Sequence, residues 1–157
     1  MLENLMGAQH VLDDNRFGPR DPALRRARLC YDHLAGEIAV WIYDALEAQR
    51  AFDLTSNGLS LNELGWRAFA KLNIHEPQLS NTRRPACRAC LDWSERRSHL
   101  AGALGALLLK RLIELRWART TRGSRVVQVS AEGERALRRA FTGSALRRST
   151  VLVAGQN

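Results

Sequence analysis

The feature that most constrains the fold of this chain is a string of four residues that occurs twice. His33-Leu34-Ala35-Gly36 returns 66 positions later as His99-Leu100-Ala101-Gly102. Farther along, the apolar–polar pattern of Leu59–Asn62 returns at a shift of 68 residues in Val127–Ser130. Matching patterns in the same order at a nearly constant shift are typical of internal repetition. The sequence therefore predicts two copies of one helix–hairpin–helix unit, packed about a pseudo-two-fold axis.

The first unit is predicted to begin with a long helix, Ala23–Arg50. Apolar residues recur there at the three- and four-residue spacing of a helix face. Asp21 and Pro22 are suited to the N-cap and to the first helical turn. The Asn57-Gly58 pair predicts a tight hairpin turn, and Asn62 is suited to cap the short helix that follows.

The second unit is predicted to begin with another long helix. Asp92-Trp93-Ser94-Glu95 has the spacing of a capping box, which would open a helix that runs to about Leu115. A second hairpin is predicted around Arg122-Gly123-Ser124, and Ser130 is suited to cap a last helix, roughly Ala131–Phe141. The predicted fold class is therefore mainly α with two β-hairpins, an α+β chain in which each half is winged-helix-like.

These elements divide the chain into a duplicated domain with short flanking segments. The predicted division is a remnant of a preceding helix at 1–12, a linker at 13–22, repeat one at 23–72, a loop at 73–91, repeat two at 92–141, and a loosely held tail at 142–157.

The charge of the chain is concentrated in its second half. Residues 1–80 carry 8 basic and 11 acidic side chains, whereas residues 81–157 carry 16 basic and 5 acidic ones. Such asymmetry is typical of a chain with a polyanionic partner, usually nucleic acid, although a solvated arginine-rich surface gives the same count. Four arginines around the second hairpin are the candidate phosphate contacts: Arg116, Arg119, Arg122 and Arg125.

Neither a secretion signal nor a membrane span is predicted. The N-terminus lacks the basic and then apolar pattern of a signal peptide, and the longest apolar run, Leu100–Leu109, is ten residues, too short for a bilayer. We therefore expect a cytoplasmic protein without membrane contact. Its three cysteines are then expected to be reduced thiols or metal ligands.

Cysteine and histidine recur at spacings that metal sites use. Cys30 and His33 form a C-x-x-H pair, and Cys87 and Cys90 form a C-x-x-C pair. Two such pairs supply the four ligands of a tetrahedral zinc site. The sequence therefore predicts a zinc centre at these four residues, with His99 as an alternative ligand, most directly in place of His33.

Two other interpretations of the same residues remain open. Cys30 lies on an apolar stretch, where free cysteine is a common core residue, and the matched His33 and His99 are equally suited to a hydrogen-bonding role across the pseudo-axis. Cys87 and Cys90 are also candidates for redox sensing, because nearby arginines favour thiolates.

Three strings of the sequence carry a family resemblance: Arg28–Gly36, Cys87–Arg97 and His99–Gly105. They are similar to a bacterial group of ArsR-type transcription regulators with a C-terminal extension, and the resemblance covers roughly residues 19–141. It implies a winged-helix regulator, and we expect DNA as its partner and a homodimeric assembly. In that group a helix–turn–helix head precedes this region, and only Met1–His10 could correspond to the last helix of such a head.

The predicted function is transcription regulation, in which this region supplies effector sensing or metal-based structural support. DNA contact is expected through a preceding head or through the basic hairpin. The alternative is a standalone zinc-stabilised module that binds a protein partner and does not read DNA. Catalysis is not predicted, because the sequence contains no P-loop, no G-x-G-x-x-G motif and no Ser-His-Asp order.

Overall fold

One order of secondary-structure elements occurs twice in the computed structural model, which describes residues 17–154. The first half follows a short helix α1 (Pro22–Arg26). Its elements are β1 (Arg28–Cys30), β2 (His33–Ala35), α2 (Glu37–Ala48), β3 (Phe52–Thr55), β4 (Gly58–Leu61) and α3 (Glu63–Ala70).

The second half follows a 3-10 turn (Glu76–Leu79) and repeats the order hairpin, helix, hairpin, helix. Its elements are β5 (Arg88–Leu91), β6 (Ser98–Ala101), α4 (Gly102–Glu114), β7 (Ala118–Thr120), β8 (Val127–Val129) and α5 (Ala131–Ala154). Each strand pairs antiparallel with its neighbour in sequence. The described residues thus form an α+β fold of five α-helices and four two-stranded hairpins.

The predicted long helix Ala23–Arg50 is wrong. The segment instead contains α1, the β1–β2 hairpin and α2. A helix cannot continue through Gly36, because its φ of 96° and ψ of −169° are not helical and lie in a region that essentially only glycine adopts. A Cβ atom there would also lie 2.7 Å from the carbonyl oxygen of Arg25. The glycine therefore marks a sharp passage from strand to helix.

The predicted helix that starts at Asp92 is also wrong at its beginning. Asp92 follows β5, and its carboxylate accepts hydrogen bonds from the amides of Ser94 and Glu95 inside the β5–β6 connection. Asp92 thus caps a turn rather than a helix, which is the common alternative use of an Asp side chain. Helix α4 begins at Gly102, whose φ is 81°.

Several local predictions are confirmed. The Asp21 carboxylate accepts a hydrogen bond from the amide of Ala23 at the start of α1. Asn62 caps α3 through the amides of Leu64 and Gly65, and Ser130 accepts from the amide of Gly133. These signals depend only on neighbouring residues, so the predicted caps are correct although the predicted long helices are wrong.

Two predicted boundaries differ from the structure. The predicted loop 73–91 contains the 3-10 turn and all of β5. The last helix was expected to end near Phe141, but α5 continues to Ala154. The predicted helix remnant 1–12 and the first four residues of the predicted linker lie outside the described residues.

The two halves pack against each other reciprocally. Helix α2 of the first half packs on β6 of the second, helix α4 packs on β2, and β2 contacts β6. The shared core contains large, fully buried side chains from both halves: Ile42, Leu46, Phe69, Leu104, Leu112, Leu137 and Phe141. Apolar burial of this size is the main driving force for folding, so the two halves form one core with β2 and β6 at its centre.

No helix within residues 17–154 combines the length and the apolar character that crossing a bilayer requires.

Candidate metal centre

Two hairpins each place one cysteine opposite one histidine. Cys30 on β1 pairs in register with His33 on β2, and Cys90 on β5 pairs with His99 on β6. Residues opposite each other in an antiparallel pair project on the same face. Because β2 contacts β6, the two Cys–His pairs meet where the two halves of the chain cross.

The four side chains form a compact cluster. One ligand atom from each of Cys30, His33, Cys90 and His99 can be chosen so that all four lie within 4.8 Å of one another. A tetrahedral zinc site with two sulfur and two nitrogen ligands has ligand atoms about 3.3–3.8 Å apart, as follows from its bond lengths. The cluster therefore has the donor set of a Cys2His2 metal site and nearly its dimensions.

Both imidazoles are oriented by carboxylates. The Nδ1 atom of His99 lies 2.8 Å from Asp92 Oδ1, and the Nδ1 atom of His33 lies 3.3 Å from Asp32 Oδ1. A carboxylate at Nδ1 favours the tautomer with its proton on that nitrogen, which leaves Nε2 free to bind a metal.

The two Nε2 atoms then face each other across 3.0 Å. If both rings donate from Nδ1 to their carboxylates, both Nε2 atoms carry lone pairs, and two lone pairs at this distance repel each other. A cation between them removes that repulsion. Protonating a ring would also do so, but burial lowers the pKa of His33, against the raising effect of Asp32. With both protons on Nδ1 the cluster could hold a metal ion between the rings, whereas a proton on one Nε2 would join the two rings by a hydrogen bond.

Asp92 joins the metal cluster to both halves of the fold. Its side chain is fully buried. Oδ1 accepts hydrogen bonds from His99 Nδ1 at 2.8 Å and from the backbone amide of Gly36 at 2.7 Å, and Oδ2 accepts from the buried guanidinium of Arg28 at 3.3 Å. One carboxylate thus fixes a candidate ligand of the second half and the start of α2 in the first half.

These contacts keep Asp92 ionised although it is buried. Burial alone would raise its pKa, but hydrogen bonds from His99, Gly36 and Glu95, together with the charge of Arg28, outweigh burial and hold that pKa far below its usual range. A buried carboxylate with this many donors is a fixed negative charge behind His99.

Asp32 supports His33 in a more exposed setting. Its Oδ2 accepts a hydrogen bond from Arg84 at 2.5 Å, and this contact is the main reason why the pKa of Asp32 is lowered. The Asp32 side chain is 29% exposed, whereas Asp92 is completely covered. The His33 side of the cluster is therefore closer to solvent than the His99 side.

The structure brings together three of the four predicted ligands, Cys30, His33 and Cys90, and adds the alternative ligand His99. Cys87 does not belong to the cluster. It is buried in the core, and burial raises the pKa of its thiol to about 11. The reason is geometric: residues three apart in an extended chain project on opposite faces, so the C-x-x-C spacing separates Cys87 from Cys90.

Sequence reasoning identified Asp92 only as a cap and assigned no role to Asp32. Each carboxylate contacts the histidine of its own hairpin, one residue away for Asp32 and seven for Asp92, so the contact depends on a hairpin in a segment that was predicted to form a helix. One signal did indicate that His99 belongs with His33, since the two residues occupy the same position of the repeat.

The four candidate phosphate contacts are exposed around the β7–β8 hairpin. Arg116 and Arg119 line an open surface cavity of about 590 Å³. Arg119 also donates hydrogen bonds to Gln128. Arg125 donates to the carbonyl oxygen of Leu29 at 2.7 Å, so part of its guanidinium is engaged within the fold. Arg116, Arg119 and Arg122 are thus the better placed of the four to contact a polyanion.

The chain is similar to a protein of Bacillus subtilis (strain 168) that is described as the uncharacterized HTH-type transcriptional regulator YdfF. The two are 40% identical over 111 residues, which are 71% of this chain and 49% of that protein. The chain therefore spans about half the length of the curated relative it matches. No protein-family model matches the chain, and no solved structure matches it.

Proposed function

We propose that this chain is the metal-binding effector region of a cytoplasmic, ArsR-type transcription regulator that acts on DNA as a homodimer. The observation that carries the proposal is the cluster of Cys30, His33, Cys90 and His99 where the two halves cross. A ligand set split between two halves gives a metal ion control over how they pack. The similarity to a helix–turn–helix regulator supplies the connection to transcription.

Zinc is the metal that this donor set favours. Two thiolates and two imidazoles in a compact tetrahedral arrangement are typical of Zn²⁺ sites. The two thiolate charges balance the charge of the ion, and the carboxylates of Asp32 and Asp92 stand behind the imidazoles as outer partners.

A site of this kind is structural or regulatory rather than catalytic. Catalytic zinc keeps one position open for water or substrate, whereas four protein ligands fill a tetrahedral ion. The effect of the metal would therefore be on folding and on the arrangement of the halves.

The repeated element order and the reciprocal packing of α2 on β6 and α4 on β2 support the hypothesis that the two halves arose by duplication.

Metal binding by the purified protein tests the proposal directly. We expect metal-free protein to bind one Co²⁺ ion per chain with the intense visible absorption of a tetrahedral site, and Zn²⁺ to displace it. Cys90→Ser should weaken binding by more than about 100-fold, because changes to outer partners alone cost about 10- to 100-fold. Cys87→Ser is the matched control and should bind Co²⁺ as the unmodified protein does. Equal losses in both variants would contradict the proposed ligand set.

DNA contact by this region is proposed to be electrostatic. We expect weak binding to duplex DNA of any sequence, with affinity falling steeply as salt is raised. Replacing Arg116, Arg119 and Arg122 together by Gln should reduce the slope of log affinity against log salt by up to about 2.7, which is about 0.9 for each lost phosphate contact. Fluorescence anisotropy with a labelled duplex measures that slope.

Arg67→Gln serves as the control for charge alone. Arg67 is an exposed arginine of α3 that forms an ion pair with Glu63, away from the β7–β8 hairpin. An unchanged slope in the triple variant, or tight sequence-selective binding by this region at physiological salt, would exclude a purely electrostatic role for the hairpin.

A further inference from the structure

The two cysteines of the cluster come from different halves and lie side by side. Cys30 is on β1 and Cys90 is on β5, and their sulfur atoms belong to a group whose members are at most 4.8 Å apart. A disulfide joins two sulfurs at about 2.05 Å. The pair is therefore within about 3 Å of disulfide length, a gap that movement at the ends of two short strands can close.

The cluster is open to small solutes on one side. A cavity of about 320 Å³ is lined by Cys90 and His33, together with Tyr31, Arg84 and Arg88. Tyr31 is 90% exposed, and both Cys30 and Cys90 are only half-buried. A small polar oxidant can therefore reach the sulfur of Cys90 through this cavity.

The third cysteine is placed differently. Cys87 is 5% exposed and does not line the cavity. Thiol oxidation requires access of the oxidant to sulfur. The sequence favours a Cys87–Cys90 pair through its C-x-x-C spacing, but accessibility and distance favour Cys90 with Cys30.

We propose that Cys30 and Cys90 form a redox-active pair that closes to a disulfide on exposure to a hydroperoxide. The thiolate of Cys90 attacks one peroxide oxygen, the O–O bond breaks, and a sulfenic acid and hydroxide form. The thiolate of Cys30 then attacks that sulfur, the S–S bond forms and a second hydroxide leaves. Both sulfurs together lose two electrons, which reduce the two peroxide oxygens.

Disulfide formation removes two of the four proposed ligands, so it releases the metal ion. His33 and His99 alone then remain, and a two-ligand site binds zinc far more weakly. Metal release rests on the proposed function, whereas the disulfide itself requires only the thiol pair. The cluster can then hold either a disulfide or a metal ion, but not both at once.

Hydrogen peroxide added to the zinc-loaded chain and to the metal-free chain tests the proposal. Free thiols are alkylated afterwards, and peptide mass spectrometry identifies the disulfide, while a colorimetric chelator measures released zinc. We expect a Cys30–Cys90 disulfide within one chain, and one zinc ion released per disulfide. Cys87→Ser should behave as the unmodified protein does, and Cys90→Ser should form no intramolecular disulfide.

The outcomes separate this proposal from the metal site. A Cys30–Cys90 disulfide in a protein that binds no zinc supports the thiol pair and contradicts the proposed metal function. A disulfide between Cys87 and Cys90 overturns the proposed pair. So does a zinc-binding protein in which Cys30 and Cys90 stay reduced, or end as separate sulfinic acids, under peroxide that oxidises an exposed model thiol.

Discussion

Loading the metal-free protein with Zn²⁺ is expected to raise its melting temperature by roughly 8–16 °C. A ligand that binds only the folded state at about 1,000 times its dissociation constant adds about 4.1 kcal/mol to the free energy of unfolding. For a chain of this size, each kcal/mol raises the melting temperature by about 2–4 °C. The four ligands come from hairpins of both halves, so the unfolded chain does not hold them together.

Differential scanning calorimetry with and without a chelator measures this increment. In Cys90→Ser the increment should fall to at most roughly 3–6 °C, because binding weakened by about 100-fold or more leaves the ion at no more than about 10 times its dissociation constant, which adds about 1.4 kcal/mol. Cys87→Ser is expected to melt at a lower temperature in both states, because Cys87 is a buried core residue, but to keep the increment. An increment that disappears in Cys87→Ser and survives in Cys90→Ser would refute the assignment of ligands.

Local signals in the sequence predicted two hairpins and several caps correctly, but not the helix start at Asp92. The β3–β4 hairpin and the Asn62 cap of α3 are both present, although the two turn residues are Ser56 and Asn57, and Gly58, which has a positive φ, is the first residue of β4. In each case one side chain, or one backbone conformation, is satisfied by atoms a few residues away. Such features need no knowledge of the rest of the fold.

The segment from Arg28 to Ala35 shows why the long helices were wrong. Its apolar residues recur at helical spacing, but burial is decided by the opposite half of the chain. Strand β2 is buried by contact with α4 and β6, which lie far away in the sequence. The spacing of apolar residues alone cannot distinguish a short buried strand from a helix segment. The positive φ of Gly36, which separates β2 from α2, is visible only in the structure.

The proximity of Cys30 and His33 was predicted from a wrong element. On a helix, residues three apart share a face. In the β1–β2 hairpin the same two residues are opposite each other across a tight turn and again share a face. Cys87 and Cys90 do not share a face in the same way, because Cys87 precedes β5 and has no hairpin partner in register. Spacing therefore predicted the proximity of Cys30 and His33, but only Cys90 of the second pair lies in the cluster.

Replacing Asp92 should strongly destabilise the metal-free fold. Asp92→Ala leaves the guanidinium of Arg28, which is 5% exposed, without its carboxylate, and it leaves the amide of Gly36 without an acceptor. Breaking a buried ion pair from one side costs about 3–5 kcal/mol. Denaturant unfolding in the presence of chelator should show a loss of that size.

Asp32, the more exposed carboxylate behind His33, provides the control. Asp32→Ala removes a carboxylate that also contacts a histidine and an arginine, but its partner Arg84 has a side chain 45% exposed. Surface ion pairs contribute about 0–1 kcal/mol, so this variant should lose no more than that in chelator. A loss in Asp92→Ala as small as that in Asp32→Ala would contradict the role assigned to the buried carboxylate.

A second substitution shows whether Asp92→Ala destabilises the fold because it leaves a charge unpaired or because it removes packing contacts. If Asp92→Ala is destabilising because Arg28 is left buried and uncompensated, then Arg28→Met in the same chain should recover part of the loss. An apolar side chain of similar length needs no counter-ion, and replacing both members of a buried pair is commonly far less costly than replacing one. The free energies of unfolding of both single variants and the double variant form a mutant cycle. Because Arg28 belongs to the first half and Asp92 to the second, additive losses would show that the two halves are not coupled through this pair.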